Sequence, residues 1–315
     1  MSEEAAGSTG GIDPEVQAGM GRNPGPQHRA LRLLAAVALR VLPATKVEGV
    51  AIEKARFGAA GGARIYRPAD TASNAVLLWI HGGGLVIGRA IQNDRLCGEL
   101  ARDAGLVVVS LEYRKAPGHR YPVALDDVLV GWRWLQAEAG RLGVDPARVV
   151  VAGESAGGGI AAALVHRLCD EGSTQPLGQL LFCPMLDDRT AADRALDALE
   201  HPVWNNRFNH YGWSAYLGME PGSSTVAAYA APARRVELGG LPPTWIGMSA
   251  GELFRAEDEA YATRLRAAGV AVETDIVPGG AHGFETWAPD TTLAQAHVAR
   301  AAAWLRQLTT DPTRD

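Results

Sequence analysis

Cysteine is scarce in this chain: Cys97, Cys169 and Cys183 are the three in 315 residues. The number is odd, the positions lie far apart, and each falls in an apolar segment. That pattern excludes a disulfide scaffold and reads as buried free thiols in a reducing compartment. No metal-ligand spacing joins the cysteines to one another or to a histidine. An excess of basic residues is also missing. Thirty Lys and Arg stand against 35 Asp and Glu, a formal net charge of −5, so the basic patch or stripe of a nucleic-acid-binding protein is not indicated. Arginine far outnumbers lysine, a compositional bias that carries no function. Long apolar runs are missing too. The run from Leu31 to Leu42 is too short to span a bilayer and carries Arg32 and Arg40, so it reads as an amphipathic helix. Met1-Ser2-Glu3-Glu4 lacks the basic start of a signal peptide. These absences together lead to the expectation of a cytoplasmic protein with no stable membrane association. There are no internal repeats.

What the chain does have is the length and the 47% hydrophobic content of one large α/β domain with a small accessory element. Residues 1–11 are small and polar and read as disordered. Asp13-Pro14-Glu15 is a helix start, with Asp13 as N-cap and Pro14 in the first helical position; a second helix is expected near 27–42. Strand patterns follow at 47–54, 62–67, 75–80, 106–112, 148–153, 178–183, 243–248 and 271–277. Helix patterns fall at about 92–104, 123–138, 156–170 and 290–308, and another runs from Glu257 to Ala268. The first strands should pair antiparallel. From about 75 onward the alternation of strand and helix argues for a parallel sheet covered on both faces. Residues 186–238 break the pattern, being polar, with clustered aromatics and no strong strand.

Three motifs carry chemistry. Gly153-Glu154-Ser155-Ala156-Gly157-Gly158 follows the apolar run 148–152 and precedes a helix. Strand, tight turn and helix with a serine at the bend make a nucleophile elbow, in which a strained turn lifts the hydroxyl clear of the sheet. G-x-S-x-G alone is short enough to arise by chance in a chain this rich in Gly, Ala and Ser. The second motif raises its weight: the strand ending at Ile80 runs into His81-Gly82-Gly83-Gly84. Three consecutive glycines are entropically costly and make sense where backbone N–H groups must approach a ligand, as in an oxyanion loop completed by the N–H of Ala156. The third, Gly279-Gly280-Ala281-His282-Gly283-Phe284, puts a histidine in a Gly-rich loop after the last strand. An acid belongs between serine and histidine in chain order, and Glu252 is the first one past the end of strand 243–248. Glu257, Asp258 and Glu259 fall in a helical pattern and read as a charged first turn that complements the helix dipole.

With these motifs in order, the chain resembles the hormone-sensitive-lipase-like family of α/β-hydrolases, which includes many bacterial carboxylesterases. The resemblance runs from about Ile12 to Leu308. It extends to Tyr113-Arg114-Lys115-Ala116-Pro117, to Tyr121-Pro122 through Asp127, and to Asp145-Pro146-Ala147-Arg148. It implies an α/β-hydrolase fold, with a mostly parallel central sheet, helices on both faces and a helical cap. The implied division is N-terminal cap helices at 1–45, core at 46–185, a second cap segment at 186–238, and core again at 239–315. The implied oxyanion donors are Gly82, Gly83 and Ala156. Three departures from the family pattern stand out. Glu252 occupies the place of the usual aspartate, Glu154 precedes the serine where Asp or Thr is usual, and Gly118 replaces an acid. None removes a reacting group.

The expected function is hydrolysis of short- to medium-chain carboxylic esters through an acyl-enzyme, with Ser155 as nucleophile, His282 as base and Glu252 as orienting acid. It needs no cofactor or metal. A histidine base must be neutral, so the rate should fall as pH drops through roughly 6–7. Trp204, Phe208 and Leu85 are the candidates for the substrate wall, with Trp213, Tyr211 and Tyr216 as core aromatics. Phe284 reads as packing. His81 reads as a structural holder of the glycine loop, and the remaining histidines have no mutual spacing. The same machinery would serve an amidase, a deacetylase or an acyltransferase. A non-catalytic binding relative is disfavoured because serine, histidine and acid are all present. The partner is a small-molecule ester. Family members often dimerise through core edge strands or helices, which points to a homodimer that the sequence itself does not fix.

Overall fold

The computed structural model describes residues 11–20, 43–59 and 61–310. The helix expected near 27–42, and all but the last residue of the disordered start expected at 1–11, lie outside them. Helix α1 (Pro14–Gly19) begins as anticipated, with the Asp13 side chain accepting from the Glu15 N–H at 2.8 Å. Eight strands then form one sheet: β1 (Val50–Ala55), β2 (Ala63–Pro68), β3 (Val76–Ile80), β4 (Val107–Leu111), β5 (Val149–Glu154), β6 (Gly178–Phe182), β7 (Thr244–Ser249) and β8 (Val272–Val277). Their spatial order is β1-β2-β4-β3-β5-β6-β7-β8. Strands β1 and β2 pair antiparallel, as do β2 and β4, and every other pairing is parallel.

The period of two along each strand explains why both faces are covered. Val76, Leu78 and Ile80 of β3 enter one core together with Val149 and Val151 of β5. Leu77, Trp79, Val150 and Ala152 enter the other. The first core is closed by α3 (Val123–Leu142), α4 (Ala156–Asp170) and α7 (Arg255–Ala267); the second by α2 (Asp94–Ala104) and α8 (Thr292–Thr310). The strand bounds differ from the sequence pattern by a few residues. A 3-10 turn at Ala90–Asn93 takes up the start of the helix expected from 92, and α3 runs on to Leu142. Between β6 and β7 the chain is helical, with α5 (Asp188–Ala192) and α6 (Asn206–Leu217) joined by 3-10 turns. Among the described residues no helix is long and apolar enough to cross a membrane.

Candidate active site

The site forms at the C-terminal ends of the parallel strands, where β3, β5, β6, β7 and β8 release their loops side by side. Ser155 follows β5 directly and adopts φ 54° and ψ −120°. Positive φ is unfavourable for a residue with a Cβ and is retained only where the surroundings enforce it. Here the Ser155 N–H is held by the Phe182 carbonyl at 2.8 Å, and the Ser155 carbonyl accepts from Met185 N–H at 2.9 Å. Leu85, Cys183 and Val203 are also non-glycine residues with positive φ, as is Tyr229 farther along the chain.

Ser155, His282 and Glu252 are distant in sequence and meet here. His282 Nε2 lies 2.8 Å from Ser155 Oγ, and His282 Nδ1 lies 2.6 Å from Glu252 Oε2. The other Glu252 oxygen accepts from the Ser249 N–H at 2.7 Å. The extra methylene of glutamate is therefore accommodated by folding the side chain back onto the end of its own strand. All three residues are buried. Such a series can move a proton from the hydroxyl to the imidazole while the carboxylate holds the ring.

Gly82 packs directly on this serine: a Cβ at 82 would lie 3.4 Å from Ser155 Cβ and 3.1 Å from the Glu154 carbonyl oxygen. Gly83 has φ 122°, and a Cβ there would sit 2.2 Å from the Ile87 carbonyl oxygen, so the turn admits only glycine. His81 is fully buried, stacks on Tyr113, and its Nδ1 lies 2.8 Å from the Gly82 carbonyl oxygen. Burial and the nearby Lys115 charge push its pKa well down, which keeps the ring neutral, in keeping with a structural role.

Trp204 and Phe208 come from the helical segment after β6. The Trp204 ring lies on Gly84, 6.4 Å from the His282 ring, and makes an edge contact with Phe208 at 6.0 Å. Leu85 is buried beside them, with φ 68°. Trp213 and Tyr216 are core residues, as expected, and Tyr211 is half-buried. Phe284 packs with Val16, Val277 and Ala294.

Several neighbours were not visible in the sequence pattern. Phe254 meets the His282 ring edge-on at 5.2 Å; its place two residues after Glu252 was the available signal. Glu154, beside the nucleophile, turns inward. Its Oε2 accepts from Asn93 Nδ2 at 2.7 Å, and Asn93 also donates to Thr286 Oγ1 at 3.0 Å. A Cβ at Gly283 would lie 2.8 Å from Glu154 Oε1. Glu154 thus ties the serine strand to the loop that follows His282. Burial raises its pKa, opposed by Asn93, the His282 charge and Thr286. Buried Glu285 is held well above the usual carboxylate range by burial and by Glu154.

Two expectations need refinement. Glu257 and Asp258 do stand in the first turn of α7, but both are buried and not held as charged groups. Glu257 accepts from the Leu186 and Asp187 N–H groups at 2.7 and 3.1 Å, and burial pushes it up to about 8; burial also raises Asp258. The helix turns these acids toward the chain after β6 instead of toward water, a direction that periodicity alone left open. Cysteine is the second case. All three thiols are free, but Cys169 is only half-buried, and Cys183 is brought next to Glu252 and His282 by the side-by-side ends of β6, β7 and β8. Linear spacing could not show that neighbourhood. Burial and the surrounding acids push the Cys183 thiol up, so it stays protonated and is no rival nucleophile.

Comparison with known proteins agrees with this architecture. Residues 77–286 match a family model described by the alpha/beta hydrolase fold. Esterase LipI of Mycobacterium tuberculosis is 34% identical over 275 residues, which cover 84% of this chain and 83% of that protein. An ethyl acetate hydrolase of Pseudomonas putida is 33% identical over 234 residues, 70% of each chain. Among solved structures, a bacterial heroin esterase superposes with a TM-score of 0.82 at 34% identity, covering 95% of this chain and 98% of that one. The chain belongs to the α/β-hydrolase family, in its hormone-sensitive-lipase-like branch of carboxylesterases.

Proposed function

We propose that this protein is a serine carboxylesterase acting on short- to medium-chain esters through an acyl-enzyme. The observation that carries the reading is the hydrogen-bonded series from Glu252 through His282 to Ser155, at 2.6 and 2.8 Å, on a serine with strained backbone. His282 Nε2 takes the Ser155 proton as Oγ attacks the ester carbonyl. The N–H groups of Gly82, Gly83 and Ala156 stabilise the oxyanion. His282 then protonates the leaving alcohol, and water enters by the reverse route to release the acid. Glu252 accepts from Nδ1–H and stabilises the imidazolium. Trp204, Phe208 and Leu85 form the substrate wall, and the helical segment at 186–238 acts as a cap. The closeness of the Trp204 ring to Gly84 and His282 supports a preference for compact acyl groups, as does likeness to an ethyl acetate hydrolase. The reading is completed by a cytoplasmic location and a homodimer.

The test is hydrolysis of p-nitrophenyl esters from acetyl to dodecanoyl by the wild type and Ser155→Ala. Turnover peaking at short chains and falling on the order of 10⁶-fold in the variant is the expected result. A wild type inert on every chain length, or a variant that retains turnover, overturns the reading. Matched ester and amide substrates separate an esterase from an amidase on the same machinery.

A further inference from the structure

The buried surroundings of the Glu252–His282 pair contain more ligating chemistry than ester hydrolysis uses. Cys183 directly follows β6 with φ 37°, and its N–H is held by the Gly247 carbonyl at 2.7 Å. This fixes the residue between the serine strand and the acid loop. A sulfur, a carboxylate oxygen and an imidazole nitrogen, from Cys183, Glu252 and His282, all lie within 4.8 Å of one another. The three residues are 3%, 5% and 7% exposed, so water competes weakly there. The charges that bear on Cys183 are all acidic: Glu252, Glu285, Glu154 and Asp258. Both Asp258 carboxylate oxygens and Glu285 Oε1 are buried without a hydrogen-bond partner. A cation bound here would find carboxyl groups whose burial holds them protonated, and which it would draw toward the ionised form.

We propose that Cys183, Glu252 and His282 form a latent site for a thiophilic divalent cation, Zn²⁺ above all, and that its occupation switches ester hydrolysis off. One thiolate, one imidazole and one carboxylate, with water in the fourth position, make an accepted zinc set. Tetrahedral zinc spaces such ligand atoms by about 3.5 Å, so the sulfur must approach by up to about 1.3 Å while Glu252 Oε2 and His282 Nδ1, now 2.6 Å apart, spread to admit the ion. Binding at Nδ1 releases the thiol proton to solvent and moves the ring to the tautomer protonated on Nε2, which then donates to Ser155 Oγ and cannot take its proton; no electrons move. The metal then occupies the place of the proton that Glu252 accepts. The imidazole can no longer be held and charged as a base, and Ser155 loses its activation. The switching half of the proposal rests on the esterase reading, whereas the metal site does not.

The experiment uses the full chain freed of metal by a chelator and titrated with Co²⁺. A thiolate-to-cobalt charge-transfer band is expected in the wild type and in Ser155→Ala, Cys97→Ala and Cys169→Ala, and not in Cys183→Ala. In parallel, Zn²⁺ should inhibit ester turnover by the wild type. Inhibition should weaken at least about tenfold in Cys183→Ala, with its zinc-free turnover preserved. Cys183→Ser keeps the side-chain volume and serves the same purpose if the alanine variant is unfolded. Absence of the band in the wild type, or its persistence in the variants at 183, overturns the site. Equal zinc sensitivity with and without Cys183 overturns the switch. If no ester is turned over at all, the band still decides the metal site, and only the proposed function fails.

Discussion

The two sides of the site are held by different means. On the serine side, the Gly82–Leu85 loop and Ser155 owe their geometry to the backbone. Positive φ angles, glycines with no room for a Cβ, and main-chain hydrogen bonds set the positions within a few residues of each strand end. On the histidine side, side chains do the holding. Glu252 folds back to the Ser249 N–H, Glu154 reaches across to the His282 loop through Asn93, and buried Glu257 fastens the turn after β6. A backbone-built half tolerates little change at its glycines but is indifferent to pH. A half built from carboxyl groups carries titratable fasteners, and its rigidity depends on their protonation and on whatever cation comes near.

Substitutions that separate the two halves should differ in size and in kind. The largest effect is expected at the junction, where Glu252→Gln leaves the shape but removes the charge that orients His282. Turnover should fall about 10⁴-fold with little change in KM, measured on a short p-nitrophenyl ester. Full activity in this variant would overturn Glu252 as the orienting acid. Gly83→Ala, on the backbone side, displaces one of the proposed oxyanion donors and should lower kcat about 10²- to 10³-fold at every pH. A drop confined to one end of the pH profile would contradict the backbone account. Glu154→Gln alters the hydrogen bond from Asn93, through which Glu154 reaches the His282 loop, and should cost about tenfold in kcat. Its pH–rate profile should shift too, because Glu154 and His282 feel each other's charge. An unshifted profile would reduce Glu154 to packing.

The smallest effect on rate, and the clearest on stability, belongs to Glu257. Burial raises it from 4.5 to about 8. Between those values the folded protein keeps a proton that the unfolded chain has released. Stability from this group is therefore complete below about 4.5 and declines as pH rises toward about 8. Glu257→Gln should flatten the fall of Tm over that range while leaving turnover near wild type. Glu285 and Asp258, also raised by burial, retain part of the slope. A Tm profile identical to that of the wild type would show that Glu257 is not protonated in the fold.

Local chain chemistry was enough to read much of this protein. The eight strands stood out because a parallel sheet covered on both faces needs short, nearly continuous apolar runs. The α1 start at Asp13-Pro14 is written in residues that cap a helix wherever they occur. Ser155, the glycines after Ile80 and His282 stood out because bends and close backbone approaches require particular residues within a span of five or six. What could not be read is whatever depends on which strand ends become neighbours. The inward turn of Glu154, the burial of Glu257 and Asp258, Phe254 against His282, and Cys183 beside Glu252 all join segments tens of residues or more apart, or depend on which way a helix faces. Helical periodicity says that one face is charged but not whether that face meets water. Only the packing of β6, β7 and β8 side by side gives these acids and this thiol their surroundings, and with them their charge state and reach.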